Sequence, residues 1–459
     1  MNKKTQIILS VISFIIGLTG FFINPILSIV GIFCFMALLF FITDYARVVY
    51  LLTFFFILDY LLRSVFMLTI VSSIWDELLL IGALLLFIIK YIYDTKTKKH
   101  VFTPVDIPMI VFILINLFIL IINSTYMEVA VEGFRAVTTN LLWFFLVFSL
   151  VKDDKGAKKV LSFVVASSVI IALYGVFQYV TGVEMPAGWV DAAELGVSTR
   201  AFSFVQSPNI LGAIMTLTSM IAVGLFFYEK KKLNKLFYLA SFAVMLLCLV
   251  FTLSRGAWIG FAVSLFVFVL LKDKRYILPV LAIGIIVILF VPAVSSRVLY
   301  MISPEYIFSS LTGGRMLRWI EGFDLFKENF LTGVGLGHFG GAVAMHYPNY
   351  FPKAFYMDNY FLKTAVETGI LGVTSFIVLL YAMLSSIFKN VKLNKNTPQG
   401  DLLLALFSGL FGVTVHCFFE NIFEVPGMIT LFWMVAACAM VMIYKKKELP
   451  GQAVPLSNI

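Results

Sequence analysis

The sequence predicts an all-α fold: a polytopic transmembrane helical bundle of about 14 spans, with one large extracytoplasmic loop that contains short helices. Three observations lead there. Of the 459 residues, 61% are hydrophobic and only 13% charged, about half the charge of an ordinary soluble domain. Apolar runs of roughly 17–25 residues recur along the chain, the length a helix needs to cross a bilayer. These runs are continuous rather than alternating, which excludes a membrane β-barrel. The basic residues, finally, alternate by loop: of 34 Lys and Arg, 24 fall in loops of one phase, and these are 22 Lys with only Arg47 and Arg275. Positive charge is retained in the cytoplasm, so the lysine-rich phase is read as cytoplasmic.

The spans follow in order at 7–23, 25–43, 48–71, 77–93, 106–123, 136–151, 159–180, 208–228, 236–253, 257–271, 277–294, 360–388, 402–422 and 427–444. The segment after Lys3-Lys4 lacks a small-residue cleavage site, so it reads as the first membrane helix rather than a cleaved leader. An even count returns both termini to the cytoplasm. Every inner loop is then basic, from Lys96, Lys98 and Lys99 through Lys230-Lys231-Lys232 to Lys445-Lys446-Lys447. The whole chain, 1–459, is one integral membrane domain, with outer loops at 181–207 and, much larger, 295–359. Within the second loop, residues 315–330 (RMLRWIEGFDLFKENF) place apolar residues at helical spacing and predict an amphipathic helix at the outer interface.

Composition also limits function. The net charge of +9 comes from cytoplasmic lysines; it serves topology and lipid headgroups, and nucleic acid is not a partner. Cys34, Cys248, Cys417 and Cys438 lie in or beside apolar spans without metal spacing, so they read as small buried hydrophobes. No cofactor or metal is called for.

The outer phase holds the anomaly. Six arginines stand there against the charge rule: Arg135, Arg200, Arg255, Arg297, Arg315 and Arg318. Guanidinium suits bidentate capture of phosphate or carboxylate, so the outer face predicts a site for an anionic group, in particular phosphate on a membrane-embedded ligand.

Several motifs surround these arginines. LSRGAW, 253–258, is a short outer connection that leaves Arg255 at the membrane surface beside a glycine that permits close approach. In 198–213, Arg200 precedes Ser207-Pro208-Asn209; Ser207 suits a helix cap and Pro208 a first turn, whereas Asn209 is placed to hydrogen-bond a sugar or a neighbouring backbone. The run 313–372 contains Gly333, Gly335 and Gly337, which fit a phosphate-cradling loop or, equally, a packed turn. It also holds the outer-loop histidines His338 and His346. Asp358 stands where the loop enters the next span and reads either as a helix cap or as a functional carboxylate. Glu367, two turns further, is expensive there unless paired. Asp59 and Arg63, at i and i+4 inside a span, neutralise each other. His416, Glu420 and Glu424 fall on one helix face; a proton relay or metal site is conceivable, but a structural role is favoured because further ligands are lacking.

Taken in order, LSRGAW, RAFSFVQSPN, the R-x-x-x-W of 315–319, GVGLGHF and NYFLKTAVETGILG resemble the O-antigen ligase / O-antigen polymerase superfamily. The resemblance is carried by 198–375; the first 150 residues match only as generic spans. It implies a bacterial cytoplasmic membrane enzyme, facing outward, that moves a glycan from undecaprenyl pyrophosphate to a glycan or lipid acceptor without a nucleotide sugar or a metal. It further implies that Arg200, Arg255 and Arg315, with Arg318 beside them, hold the pyrophosphate. Where the family often has His-Asn, this chain has Asp358-Asn359, so Asp358 or His346 would be the catalytic base, and Asn209, Asn359, Tyr360 and Glu367 would position substrates. Polymerisation of a capsule, exopolysaccharide or teichuronic-acid-like chain is the leading expectation. A ligase acting on a lipid or protein acceptor, and a transporter of an anion or lipid-linked glycan without chemistry, are the alternatives.

Overall fold

The computed structural model describes residues 40–41, 43–94, 101–185, 199–352 and 354–445. The predicted span 7–23 and most of 25–43, with Cys34, lie outside them. Among the described residues every regular element is helical. Among the described residues nine segments are long and apolar enough to cross a membrane, and one further pair of helices is bent by 91°. The protein is thus a polytopic membrane protein.

In chain order the helices are α1 (Arg47–Leu52), α2 (Phe55–Tyr60), α3 (Thr69–Asp94), α4 (Asp106–Ile122), α5 (Met127–Thr138), α6 (Leu142–Leu150), α7 (Asp154–Thr181), α8 (Pro208–Tyr228) and α9 (Lys232–Phe251). They continue with α10 (Arg255–Lys272), α11 (Ile277–Phe290), α12 (Pro292–Met301), α13 (Pro304–Thr312), α14 (Arg315–Glu328), α15 (Ala342–His346), α16 (Tyr360–Leu393), α17 (Pro398–His416) and α18 (Pro426–Tyr444). The amphipathic helix expected at 315–330 is α14.

Several expected spans differ in form. The segment 48–71 is not one straight helix: α1 and α2 are separated at Thr53-Phe54, and α2 runs into a π-helical turn, Leu61–Val65. The Asp59–Arg63 pair predicted there does form, at 2.9 Å, and Trp75 Nε1 donates to the same Asp59 carboxylate at 2.9 Å. The span placed at 136–151 begins earlier, at Met127, and passes through a 3₁₀ turn at Thr139–Leu141. The span placed at 277–294 ends at Phe290; Pro292 opens α12, because it cannot continue the hydrogen-bond ladder of α11.

The core is built on α8, α17 and α18: α8 and α18 are buried all round over most of their length, and α17 on all but the face of Phe407, Phe411 and Thr414. Small residues allow the close contacts. A Cβ on Gly212 of α8 would lie 2.4 Å from Ala257 Cβ of α10, one on Gly224 would lie 2.8 Å from Ala405 Cβ, and one on Gly260 of α10 would lie 2.8 Å from Gly412 O of α17. In lipid, where no hydrophobic force drives helices together, such backbone approach supplies the packing. Its consequence is positional: the α10 N-terminus, which begins at Arg255, is fixed against the end of α17.

The bundle has two chemically distinct ends. At one end lysines make the contacts: Lys158 with Glu229, Lys272 with Asp401 at 2.5 Å, and Lys445 with Val151 O at 3.0 Å. At the other, arginines, histidines and carboxylates cluster. Cys248, Cys417 and Cys438 are buried free thiols.

Candidate functional site

The arginine-rich end is assembled by three connections. The first is a break in α16. Gly369 has φ +62° and ψ −166°, a conformation open to glycine alone, so the helix stops hydrogen-bonding to itself there. The loop after α14 fills the gap. Ile370 N donates to Phe330 O at 2.8 Å, Val334 N to Val366 O at 2.8 Å and Gly335 N to Glu367 O at 3.0 Å. Gly333, Gly335 and Gly337 all have positive φ. A Cβ on Gly333 would lie 2.3 Å from Glu367 C, and one on Gly335 would lie 2.5 Å from Asn123 O. The loop therefore packs tightly against α16 and the end of α4. The N–H groups of Val334 and Gly335 are spent on helix carbonyls rather than turned outward as a cradle.

The second connection is a buried ion triad. Lys363 Nζ lies 2.7 Å from Glu367 Oε2 and 3.7 Å from Glu424 Oε1, and all three side chains are almost wholly buried. Glu367 also accepts from Phe339 N at 3.3 Å. Glu367 thus satisfies the pairing that its depth demands, and it ties α16 to both the glycine loop and the turn before α18. Around it Phe339, Met357, Leu362 and Val366 form a small separate core against α14.

The third connection is the arginine cluster. Arg318 Nη2 lies 2.6 Å from Asp358 Oδ2, and Arg315 Nε lies 3.5 Å from the same oxygen. Arg318 Nη1 also donates to Tyr356 O at 3.0 Å. Asp358 is 8% exposed. It is not the helix cap: Asn359 takes that role, accepting from Leu362 N at 3.0 Å. On the facing side, Arg200 Nε donates to Thr252 O at 2.8 Å, and Arg200 Nη2 donates to Asn209 Oδ1 at 3.1 Å. The Asn209 amide in turn donates to Glu420. Glu420 interacts electrostatically with both Asp358 and Arg315, which closes the ring. Arg255 adjoins it through Tyr306: its guanidinium lies 4.9 Å from the centre of the Tyr306 ring, and Tyr306 is within electrostatic range of Arg315. The neighbouring Gly256 sits so close to His416 that a Cβ would lie 2.9 Å from its ring.

Arg315 and Arg318 thus meet Asp358 directly, Arg200 reaches Glu420 through Asn209, and Arg255 adjoins the group over Tyr306. Burial and the neighbouring Asp358 push the Glu420 carboxyl up to about 7, against the opposing influences of Arg315, the Asn421 backbone and Asn209. The same carboxylates and burial hold the Tyr356 hydroxyl in its neutral form.

The remaining sequence-derived candidates lie apart in their contacts. His346, on the short helix α15, is exposed and faces Glu132 of α5 at 3.1 Å. Tyr360 is buried among Phe376 and Phe423. Of the other outer arginines, Arg135 pairs with Glu77. Glu420 is the residue whose place the sequence reading missed. A single helical face through His416, Glu420 and Glu424 does not exist, because α17 ends at His416. The chain then turns, sending Glu420 to Asn209 and Glu424 to Lys363. The available signal was the segment CFFENIFEVP, whose polar residues and proline mark a turn before α18.

Residues 240–377 match the family model described as O-Antigen ligase. This match supports the resemblance to the O-antigen ligase/polymerase superfamily, a family of glycan transfer, that the ordered motifs carry. The matched region runs from α9 through the break in α16 and contains Arg255, Arg315, Arg318 and Asp358; Arg200, Asn209 and Glu420 lie outside it. No curated protein matches the chain.

Proposed function

We propose that the protein transfers a glycan from undecaprenyl pyrophosphate to an acceptor hydroxyl on the outer side of a bacterial cytoplasmic membrane, and that it does so as a polymerase of a cell-surface polysaccharide. The observation that carries this reading is the gathering of Arg200, Arg315 and Arg318, with Arg255 beside them over Tyr306, in one partly buried patch at the end of the bundle opposite the lysines. The acceptor hydroxyl attacks the anomeric carbon, and the glycosyl–oxygen bond to pyrophosphate breaks. Charge grows on the departing diphosphate. Guanidinium groups already fixed by Asp358, Asn209 and the Thr252 carbonyl meet that charge without reorganising, the condition under which electrostatic stabilisation is largest. No metal or nucleotide is needed for this step.

The lysine-, isoleucine- and phenylalanine-rich composition favours an envelope without lipopolysaccharide, and hence a growing chain as acceptor over a lipid core. The transporter alternative would place charges near the bilayer midplane on broken helices; here the arginines gather at helix ends, and the break in α16 is filled by the glycine loop. Comparing the surface glycan of a deletion strain with that of its parent tests the reading. Loss of one polymer with accumulation of its lipid-linked repeat supports polymerisation. Loss of attachment with the polymer still made supports ligation.

A further inference from the structure

Glycosyl transfer needs a group to take the proton of the attacking hydroxyl, and the resemblance supplies none unambiguously. His346 is turned to Glu132 at the exposed edge of the loop. Asp358 has one oxygen engaged by both Arg315 and Arg318, so it holds the guanidinium groups that meet the leaving diphosphate. Glu420 differs from both. It is 2% exposed, outside the membrane helices, and its direct partners are neutral donors: the Asn209 amide and, at 3.3 Å, the Asn421 N–H. It also stands between the two halves of the arginine cluster, linked to Arg200 through Asn209 and facing Arg315.

We propose that Glu420 is the general base that removes the acceptor proton, with Asn209 as its positioning residue and Asp358 as the anchor of Arg315 and Arg318. The inference rests on the glycosyl-transfer reading. In the step, the acceptor O–H bond breaks and its proton passes to a Glu420 oxygen. The acceptor oxygen bonds to the anomeric carbon, and the electron pair of the glycosyl–oxygen bond leaves with the pyrophosphate. The charged and titratable groups facing Glu420 are Asp358 and Tyr356 from the loop, Arg315 from α14, Arg200 through Asn209 at the start of α8, and Cys417 from the end of α17. A carboxyl raised to about 7 by burial and by Asp358 is matched to proton transfer near neutral pH.

The test uses the full-length protein in nanodiscs. Turnover is measured with lipid-linked repeat extracted from cells lacking the protein, and binding with undecaprenyl pyrophosphate. Glu420→Gln should lower turnover by roughly 10²–10⁴-fold while undecaprenyl pyrophosphate still binds. Wild-type kcat/KM should fall as pH drops through about 7, and Glu420→Asp should keep partial activity with that limb displaced. Asp358→Asn, by contrast, should weaken undecaprenyl pyrophosphate binding. Wild-type turnover in Glu420→Gln, or an unchanged pH limb in Glu420→Asp, overturns the assignment and leaves the transfer reading standing. A wild-type protein that binds the carrier and forms no glycosidic bond overturns both.

Discussion

Arg318 Nη2 lies 2.6 Å from Asp358 Oδ2. This contact joins the amphipathic helix of the large loop to the mouth of α16, and it makes the loop part of the site rather than a cover over it. Replacing Arg318 by Lys keeps the charge and loses the planar fork that reaches both Asp358 and the Tyr356 carbonyl. We expect polymer synthesis to fall by about tenfold or more, towards the roughly 10²–10³-fold typical of losing one preorganised donor, with normal protein levels on immunoblots. The same change at Arg275, whose side chain is 91% exposed at the lysine end, should leave polymer unchanged.

Arg255→Lys should behave like Arg318→Lys, because Arg255 enters the same patch over the Tyr306 ring. His346→Ala should retain most activity, since His346 is exposed and directed at Glu132. The amount of polymer in cells expressing each variant measures both expectations.

Gly369→Ala tests the seating of the loop. Its φ of +62° combined with ψ −166° is closed to a side chain, and a Cβ would lie 2.4 Å from the Leu331 backbone. The conformational cost alone is about 1–3 kcal/mol, so the variant should lose folded, monodisperse protein on size-exclusion chromatography in detergent and melt earlier. An unchanged melting temperature would mean that the loop does not lock into the helix break.

Lys363→Met removes the only cation from the buried triad and leaves Glu367 and Glu424 facing each other's charge. Breaking such a pair costs roughly 3–5 kcal/mol, so this variant should be poorly produced. Lys363→Met combined with Glu367→Gln should recover part of the loss in the same thermal assay.

These expectations separate what was legible in the sequence from what was not. Hydrophobic run length and lysine alternation located most of the described spans, because a bilayer imposes length and charge rules on every helix. Ser207 as cap before Pro208, and the Asp59–Arg63 pair, were readable because both are local. Bends were less readable: the turn at Leu61–Val65 and the corner at Pro292 fall in runs apolar enough overall to read as single spans. The site itself is a set of long-range contacts. Asn209 and Glu420 are 211 residues apart, and no spacing rule reports such a meeting. The glycines of GVGLGHF were visible, but their reason, contact with Glu367 and Asn123 backbone, belongs to tertiary structure.

Orientation in the membrane rests on charge. Reporters fused after Lys99, Lys232 or Lys395 should read cytoplasmic, and one near Tyr347 external. A cytoplasmic reading at Tyr347 would put the arginine cluster on the side where lipid-linked glycans are assembled rather than polymerised.

The central claim is that the arginine end makes a glycosidic bond. The most direct measurement is turnover by the purified protein in nanodiscs supplied only with lipid-linked repeat. The account predicts chains longer than one repeat together with stoichiometric free undecaprenyl pyrophosphate, both lost in Arg255→Lys. Intact donor, bound or carried across a bilayer with no new bond and no released carrier, would contradict it.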